Sequence, residues 1–287
     1  MSGIESPAVV ALTDRAVLHL GGPECVGFLQ GLVSNDINAV STRCSVYAAL
    51  LTPQGRYLHD FFVSSAPTEA PGLWLDVEAA RREDLLTRLR RYRLRTKVSF
   101  EEDSDDFAVW ACYGPGACAT LGLPETTGAS TPFAGGIAMV DPRLAALGAR
   151  LLLPRSTRPD LTAGTMEDYD LLRLRLGVPE SGRDLVPEKS LLLENNLDVL
   201  NAISWTKGCY VGQEVTARTR YRKLVRRRLY PVRVEGPLPP AGTPILCGDK
   251  PVGKIRSGRG TLALALLNLD RETSAEPLTA GAATVII

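Results

Sequence analysis

Residues 202–222 read AISWTKGCYVGQEVTARTRYR. Within them, Lys207-Gly208-Cys209-Tyr210-Val211-Gly212-Gln213-Glu214 sets a cysteine between two glycines, with a lysine two residues before it. Glycine permits a positive φ or a close backbone approach. If a helix starts at Gly212, Cys209 lies near the positive end of its dipole, and with Lys207 nearby this favours the thiolate. A buried cysteine beside a turn is the other reading, and pattern alone does not separate the two.

Upstream of this stretch, 178–206 has no clear period. Before it, Met166 to Leu176 reads as a helix capped by Thr165, with Asp168 three residues on and Gly177 at its end. Further back, 103–164 reads as short strands: FAVWACYG, GGIAMVD and ARLLLP. In the first hundred residues, Pro23 opens a helix with Cys25, Val26, Phe28, Leu29, Leu32 and Val33 at helical spacing. VYAALLTPQGRYLHDFFV reads as two strands joined by a type I turn at Thr52-Pro53-Gln54-Gly55. LWLDV and KVSFEE are strands, and Arg81 to Tyr92 is a helix with Leu85, Leu86, Leu89 and Tyr92 inward. This mixture predicts α+β layers.

Downstream the rhythm changes. LYPVRVEG, TPILCG, PVGKIRSG and TLALALLNL are short apolar runs parted by Gly, Pro and Asp, as in a small antiparallel barrel. The domains are therefore read as 1–225 and 226–287.

The chain has 287 residues, 45% hydrophobic and 23% charged, with 33 Lys+Arg against 32 Asp+Glu. Those values exclude disorder and a bulk polycation. No apolar stretch reaches the roughly 18 residues of a membrane helix. The start, MSGIESPAVVALTDRAVLHL, reads as neither export signal nor presequence, so a cytoplasmic protein with no membrane partner is expected. Six cysteines, at 25, 44, 112, 118, 209 and 247, then read as thiols, and with only His19 and His59 no self-contained zinc site is expected.

Other candidate sites each have a bland counterpart. Gly248 to Lys254 nearly matches a phosphate loop, but Ile255 stands where Ser or Thr must hold magnesium and a strand follows, so a hairpin is expected. Asp60 lies inside an apolar strand, on one face with Leu58 and Phe62; it is either a satisfied carboxylate or an acid–base group. His59 reads as a packed or partly exposed histidine rather than a metal ligand. Arg218, Arg220, Arg222, Lys223, Arg226, Arg227 and Arg228 are seven cations in eleven residues. They suit RNA phosphate, a polyglutamate tail or an acidic partner, or form a solvated face. The earlier run Arg88, Arg90, Arg91, Arg93, Arg95 and Lys97 has the same two readings, an anion-binding patch or a solvated face balanced by nearby acids such as Glu101, Glu102, Asp103, Asp105 and Asp106.

KGCYVGQE closely resembles the signature of the YgfZ-type proteins, folate-binding iron–sulfur cluster assembly and repair factors related to the glycine-cleavage T-protein, an aminomethyltransferase. FLQGLVSNDI, LLTPQGRYLHDFFV, RLRLGVPESGRDL and VGKIRSG resemble further family motifs in the expected order. ENNLDVLNAISW is most similar to bacterial relatives of the mitochondrial Iba-type member. The resemblance implies three subdomains in a cloverleaf around a folate-sized central channel, with a small C-terminal β-barrel. It implies that Cys209 is the functional thiol, supported by Lys207, with Asp60, Arg175, Tyr210, Gln213 and Glu214 as the folate-facing set. It further implies a tetrahydrofolate cofactor and maturation of [4Fe-4S] client proteins. The partner implied is an A-type carrier, with this chain a monomer when alone and nucleic acid not expected. A [2Fe-2S] cluster needs four protein ligands and Cys209 has no cysteine partner nearby in sequence, so its thiolate either completes a cluster shared with another protein or acts in a transient transfer step.

Two positions depart from the pattern. Where relatives place a pteridine-binding Glu in R-x-E-A-G, this chain has Arg175, which is donor-only. Where the transferases have paired Asp residues, it has His59-Asp60. The alternatives to a maturation factor are a tetrahydrofolate-dependent aminomethyl transferase using Asp60, and an RNA-binding or RNA-modification accessory protein using Arg218 to Arg228.

Overall fold

The computed structural model describes residues 6–67, 72–102, 106–270 and 276–287. Asp103 and Asp105, read as part of an acidic balance, lie outside the described residues. The chain divides into two compact units.

The first unit comprises Met1–Leu51, Leu58–Tyr169 and Leu200–Val211. It holds two sheets. The five-stranded one runs, in spatial order, Val46–Leu51, Tyr57–Ser65, Gly72–Glu78, Arg15–Gly21 and Ser99–Glu102. The six-stranded one runs Thr162–Ala163, Ala8–Ala11, Phe107–Tyr113, Ala149–Pro154, Gly136–Val140 and Ser130–Phe133. The strands Ala8–Ala11 and Arg15–Gly21 carry no clean alternation and were not legible. The TPQG turn forms as read, with Gly55 N donating to the Thr52 carbonyl at 2.8 Å.

The helix Cys25–Gln30 buries Cys25, Phe28 and Leu29 in the core of the five-stranded sheet. The helix Arg82–Arg93 adds Leu85, Leu86 and Leu89 to that core. Tyr92 was expected inward, but it is 41% exposed, since the helix ends one residue later. The alternation read through Leu58–Phe62 also needs correction. Phe61 and Val63 enter the core while Asp60 and Phe62 face Tyr47, yet Leu58 joins the core with Phe61. The strict alternation therefore breaks between Leu58 and Asp60.

The second unit comprises Thr52–Tyr57, Asp170–Val199 and Gly212–Ile287. Its largest part is a closed six-stranded antiparallel barrel. In spatial order the strands are Arg227–Glu235, Leu262–Asn268, Lys250–Arg259, Pro244–Cys247, Leu278–Ala280 and Ala283–Ile286. Val232, Val234, Ile245, Ile255, Ala265 and Leu267 fill its interior. The near-match to a phosphate loop is a hairpin, as read: Cys247 pairs with Lys250 across Gly248-Asp249.

The helix Met166–Arg175 begins on Thr165, whose Oγ1 accepts from the Asp168 amide at 3.1 Å. It ends at Gly177, which takes φ +69°, with Val178 N donating to the Arg173 carbonyl at 3.0 Å. Among the described residues no helix is long and apolar enough to cross a membrane.

Candidate functional site

Lys207 is the anchor of the loop that carries Cys209. Its Nζ donates to the carbonyls of Gln30 at 2.6 Å, Val33 at 2.5 Å and Asn35 at 2.7 Å. Those carbonyls lie at and beyond the end of the helix Cys25–Gln30, where a helix leaves oxygens without intrahelical donors. An ammonium has three N–H donors, so all three are engaged. Burial pushes the Lys207 pKa down to about 8, against the favourable charge of Asp36.

The same two segments are joined elsewhere. Ser34 Oγ donates to the Ala202 carbonyl at 2.6 Å, and Ser204 N donates to the Ser34 carbonyl at 3.0 Å. Asn35 Nδ2 donates to the Asn201 carbonyl at 2.7 Å. The motifs FLQGLVSNDI and AISWTKGCY, far apart in sequence, are thus one hydrogen-bonded structure.

Beyond Lys207 the chain turns at Gly208, which adopts φ +98°, a conformation a side chain would strain. Tyr210 is buried, with Lys207 Nζ 5.4 Å from its ring centroid, and Val211 packs against the core of the five-stranded sheet. Cys209 stands between these anchored residues and is exposed. Cys25, Cys112 and Cys118 are buried, while Cys44 and Cys247 are intermediate. Burial pushes the thiols of Cys25, Cys44 and Cys118 up, and that of Cys112 to about 11.

Asp60 is buried, and one oxygen accepts from the Tyr47 hydroxyl at 2.7 Å. Its neighbourhood is a charged cluster that sequence reasoning missed. Asp76 accepts from Arg15 Nε at 2.6 Å and Arg150 Nε at 2.9 Å, and Asp141 accepts two bonds from Arg143 at 3.0 and 2.8 Å. The three guanidinium groups lie 4.0 to 5.6 Å from the centroid of the Phe62 ring. Arg15, Arg143 and Arg150 balance Asp60, Asp76 and Asp141 in charge. The available signal was an ionisable residue inside an apolar strand, as in ARLLLP and LWLDV. His59 is buried and packed, its Nε2 2.8 Å from Asp84 Oδ2, and burial followed by the charge of Arg81 lowers its pKa to about 4.

In the second unit, Gln213 and Glu214 open the helix Gln213–Tyr221 behind Gly212, which takes φ +83°. Arg175 is exposed. The buried arginine of the helix Met166–Arg175 is Arg173, which bonds Asp170 at 2.7 Å, Asp184 at 3.0 Å and Ser257 at 2.9 Å. In the basic run, Arg227 pairs with Glu194 and Arg228 with Asp198, so acids interleave with the cations there. Arg218, Arg222, Lys223 and Arg226 are exposed. Among the described residues no group of three or more His, Cys, Asp or Glu side chains is placed to hold a metal ion.

The family model "CAF17, C-terminal beta-barrel domain" matches residues 226–287. The chain is 37% identical over 280 residues to the Homo sapiens protein named iron-sulfur cluster assembly factor IBA57, mitochondrial, covering 91% of this chain and 77% of that one. It is 36% identical over 290 residues to the Mus musculus protein of the same name, covering 93% and 78%. Among solved structures, glycine cleavage system aminomethyltransferase T from Bartonella henselae matches with a TM-score of 0.75 at 16% identity, covering 98% of this chain and 84% of that one. At that identity the likeness shows the fold alone: a T-protein-like α+β chain with a closed antiparallel barrel.

Proposed function

We propose, from the premise that this chain belongs to the IBA57 family of iron–sulfur cluster assembly factors, that it supports maturation of [4Fe-4S] proteins with Cys209 as its working thiol. The observation that carries this reading is the placement of Cys209. It is exposed, while the residues on either side of it are fixed by Lys207, Tyr210 and Val211. A thiolate is the species that ligates iron. A [2Fe-2S] cluster takes four protein ligands, and one accessible thiolate supplies one of them. An A-type carrier would supply the rest, so the cluster is cargo shared between two proteins.

Tetrahydrofolate has no step in this proposal. A pterin ring needs an acceptor for its ring N–H and amino groups, and the exposed, donor-only Arg175 does not fit that need. The buried Asp60 carboxylate is held by Tyr47, which favours a structural role over acid–base work in aminomethyl transfer. The ion pairs of Arg227 and Arg228 weigh against a continuous RNA-binding face.

The test is complementation of a strain lacking this protein, read as the activity of a [4Fe-4S] enzyme. Wild type should restore it and Cys209→Ser should not, at equal protein levels. Full restoration by the serine variant would remove the thiol from the account.

A further inference from the structure

Among the described residues, Lys254 and Arg256 on the outer face of the barrel have no hydrogen-bond or ion-pair partner. Along the strand Lys250–Arg259, Val252 and Ile255 belong to the barrel interior. Lys254 is opposite Leu266, which is opposite Leu229, and both leucines pack with Leu174 outside the barrel. Between Ile255 and Gly258, which pair with the interior residues Ala265 and Ala263, the register shifts, so Arg256 and Ser257 together oppose Leu264 and share the outer face with Lys254. Residues 170–199 of the same unit cover it. Asp184 Oδ1 accepts from Ser257 N at 2.8 Å, and Asn196 Nδ2 donates to the Leu229 carbonyl at 2.7 Å.

Under this cover Lys254 and Arg256 are half-buried. Among the described residues neither side chain has an ion pair or hydrogen bond, and Arg256 Nε is closed to solvent with no acceptor. The acids within electrostatic reach are engaged already. Asp184 holds Arg173 at 3.0 Å and Glu180 N at 2.9 Å, and Glu194 accepts from Arg227 at 3.2 and 3.0 Å. Burial, then Arg256 and Arg227, push the Lys254 ammonium pKa down, and burial with Arg227 pushes Arg256 down.

Asp184, which acts on Arg256, already holds Arg173, and Glu194 is set against Arg227, Lys254 and Arg256, with Lys189 adding a further positive charge near Lys254. Half-buried like charges whose neighbouring acids are already bonded elsewhere are unfavourable, and an entering anion removes the conflict. A guanidinium edge beside an ammonium suits oxygens that accept from two directions. The positive excess suits a dianion better than one carboxylate.

We propose that the outer barrel face between Lys254 and Arg256 binds a phosphate-class oxyanion carried by a small molecule.

The experiment is calorimetric titration of the full chain with inorganic phosphate and with pyrophosphate, against succinate and against chloride at matched ionic strength. Saturable phosphate or pyrophosphate binding is expected, weakened at least tenfold in both Lys254→Met and Arg256→Met. Lys254→Gln takes the place of either variant that fails to fold. Absence of saturable binding to wild type above the chloride control would overturn the proposal. So would unchanged binding in folded variants, or succinate binding as tightly as phosphate.

Discussion

Lys207 Nζ and the carbonyl of Gln30, 177 residues apart in sequence, lie 2.6 Å apart. Together with the Val33 and Asn35 carbonyls, this contact fixes the segment that presents Cys209. Lys207→Met should leave three acceptors without their donor and cost about 2–3 kcal/mol, the scale of bonds to a charged group. Lys207→Arg should not restore the loss, because a planar fork does not match three carbonyls converging on one nitrogen. Urea unfolding of the three proteins measures this, and equal midpoints would show that the contact is dispensable.

The buried histidine gives a pH dependence with a definite sign. His59 binds its proton near pH 4 when folded, against about 6.5 in an unfolded chain. Between those values the unfolded chain holds more protons, so stability falls as pH drops through that window. The full effect approaches about 3 kcal/mol at its lower end. Urea unfolding at pH 7, 6, 5 and 4.5 should show this fall, and His59→Gln should flatten it. A wild-type midpoint constant over that range would contradict the assignment.

The charged cluster around Phe62 should be sensitive to loss of a single carboxylate. Asp76→Asn leaves Arg15 and Arg150 without their shared counter-charge. Breaking such a buried pair costs about 3–5 kcal/mol. Thermal unfolding should show the largest loss of any variant named here, and a change under 1 kcal/mol would mean that the cluster rearranges.

Arg175→Glu should restore an acceptor for a pterin. A gain of about 1.5–3 kcal/mol, or roughly ten- to a hundredfold in Kd, is the scale of a charge-assisted hydrogen bond. Calorimetry with tetrahydrofolate on both proteins decides it. An unchanged or weaker affinity would show that position 175 does not contact the pterin.

Local chemistry made much of the fold legible. The TPQG turn, the Thr165 cap, the Gly177 stop and the Gly248-Asp249 hairpin each follow from residues adjacent in sequence. The barrel was legible because its strands are short apolar runs parted by Gly, Pro and Asp. The strand Arg15–Gly21 was not, since both its faces are largely covered and alternation disappears, and Ala8–Ala11 is four apolar residues too short to show a period. At the candidate site, Cys209 was visible from its flanking glycines and its motif. The partners of Lys207 were not, because three backbone carbonyls leave no trace in side-chain identity. Arg173 was overlooked beside Arg175 for a related reason: which of two arginines on one helix is buried depends on Asp184 and Ser257, distant in sequence.

The central claim is that Cys209 supplies the thiolate for a cluster shared with a carrier. Its most direct test is anaerobic mixing of this protein with a [2Fe-2S]-loaded A-type carrier, followed by visible absorption and size analysis. Wild type should yield a mixed complex that retains cluster absorption with altered bands, and Cys209→Ser, folded as wild type, should yield none. A serine variant forming the same coloured complex would contradict the account.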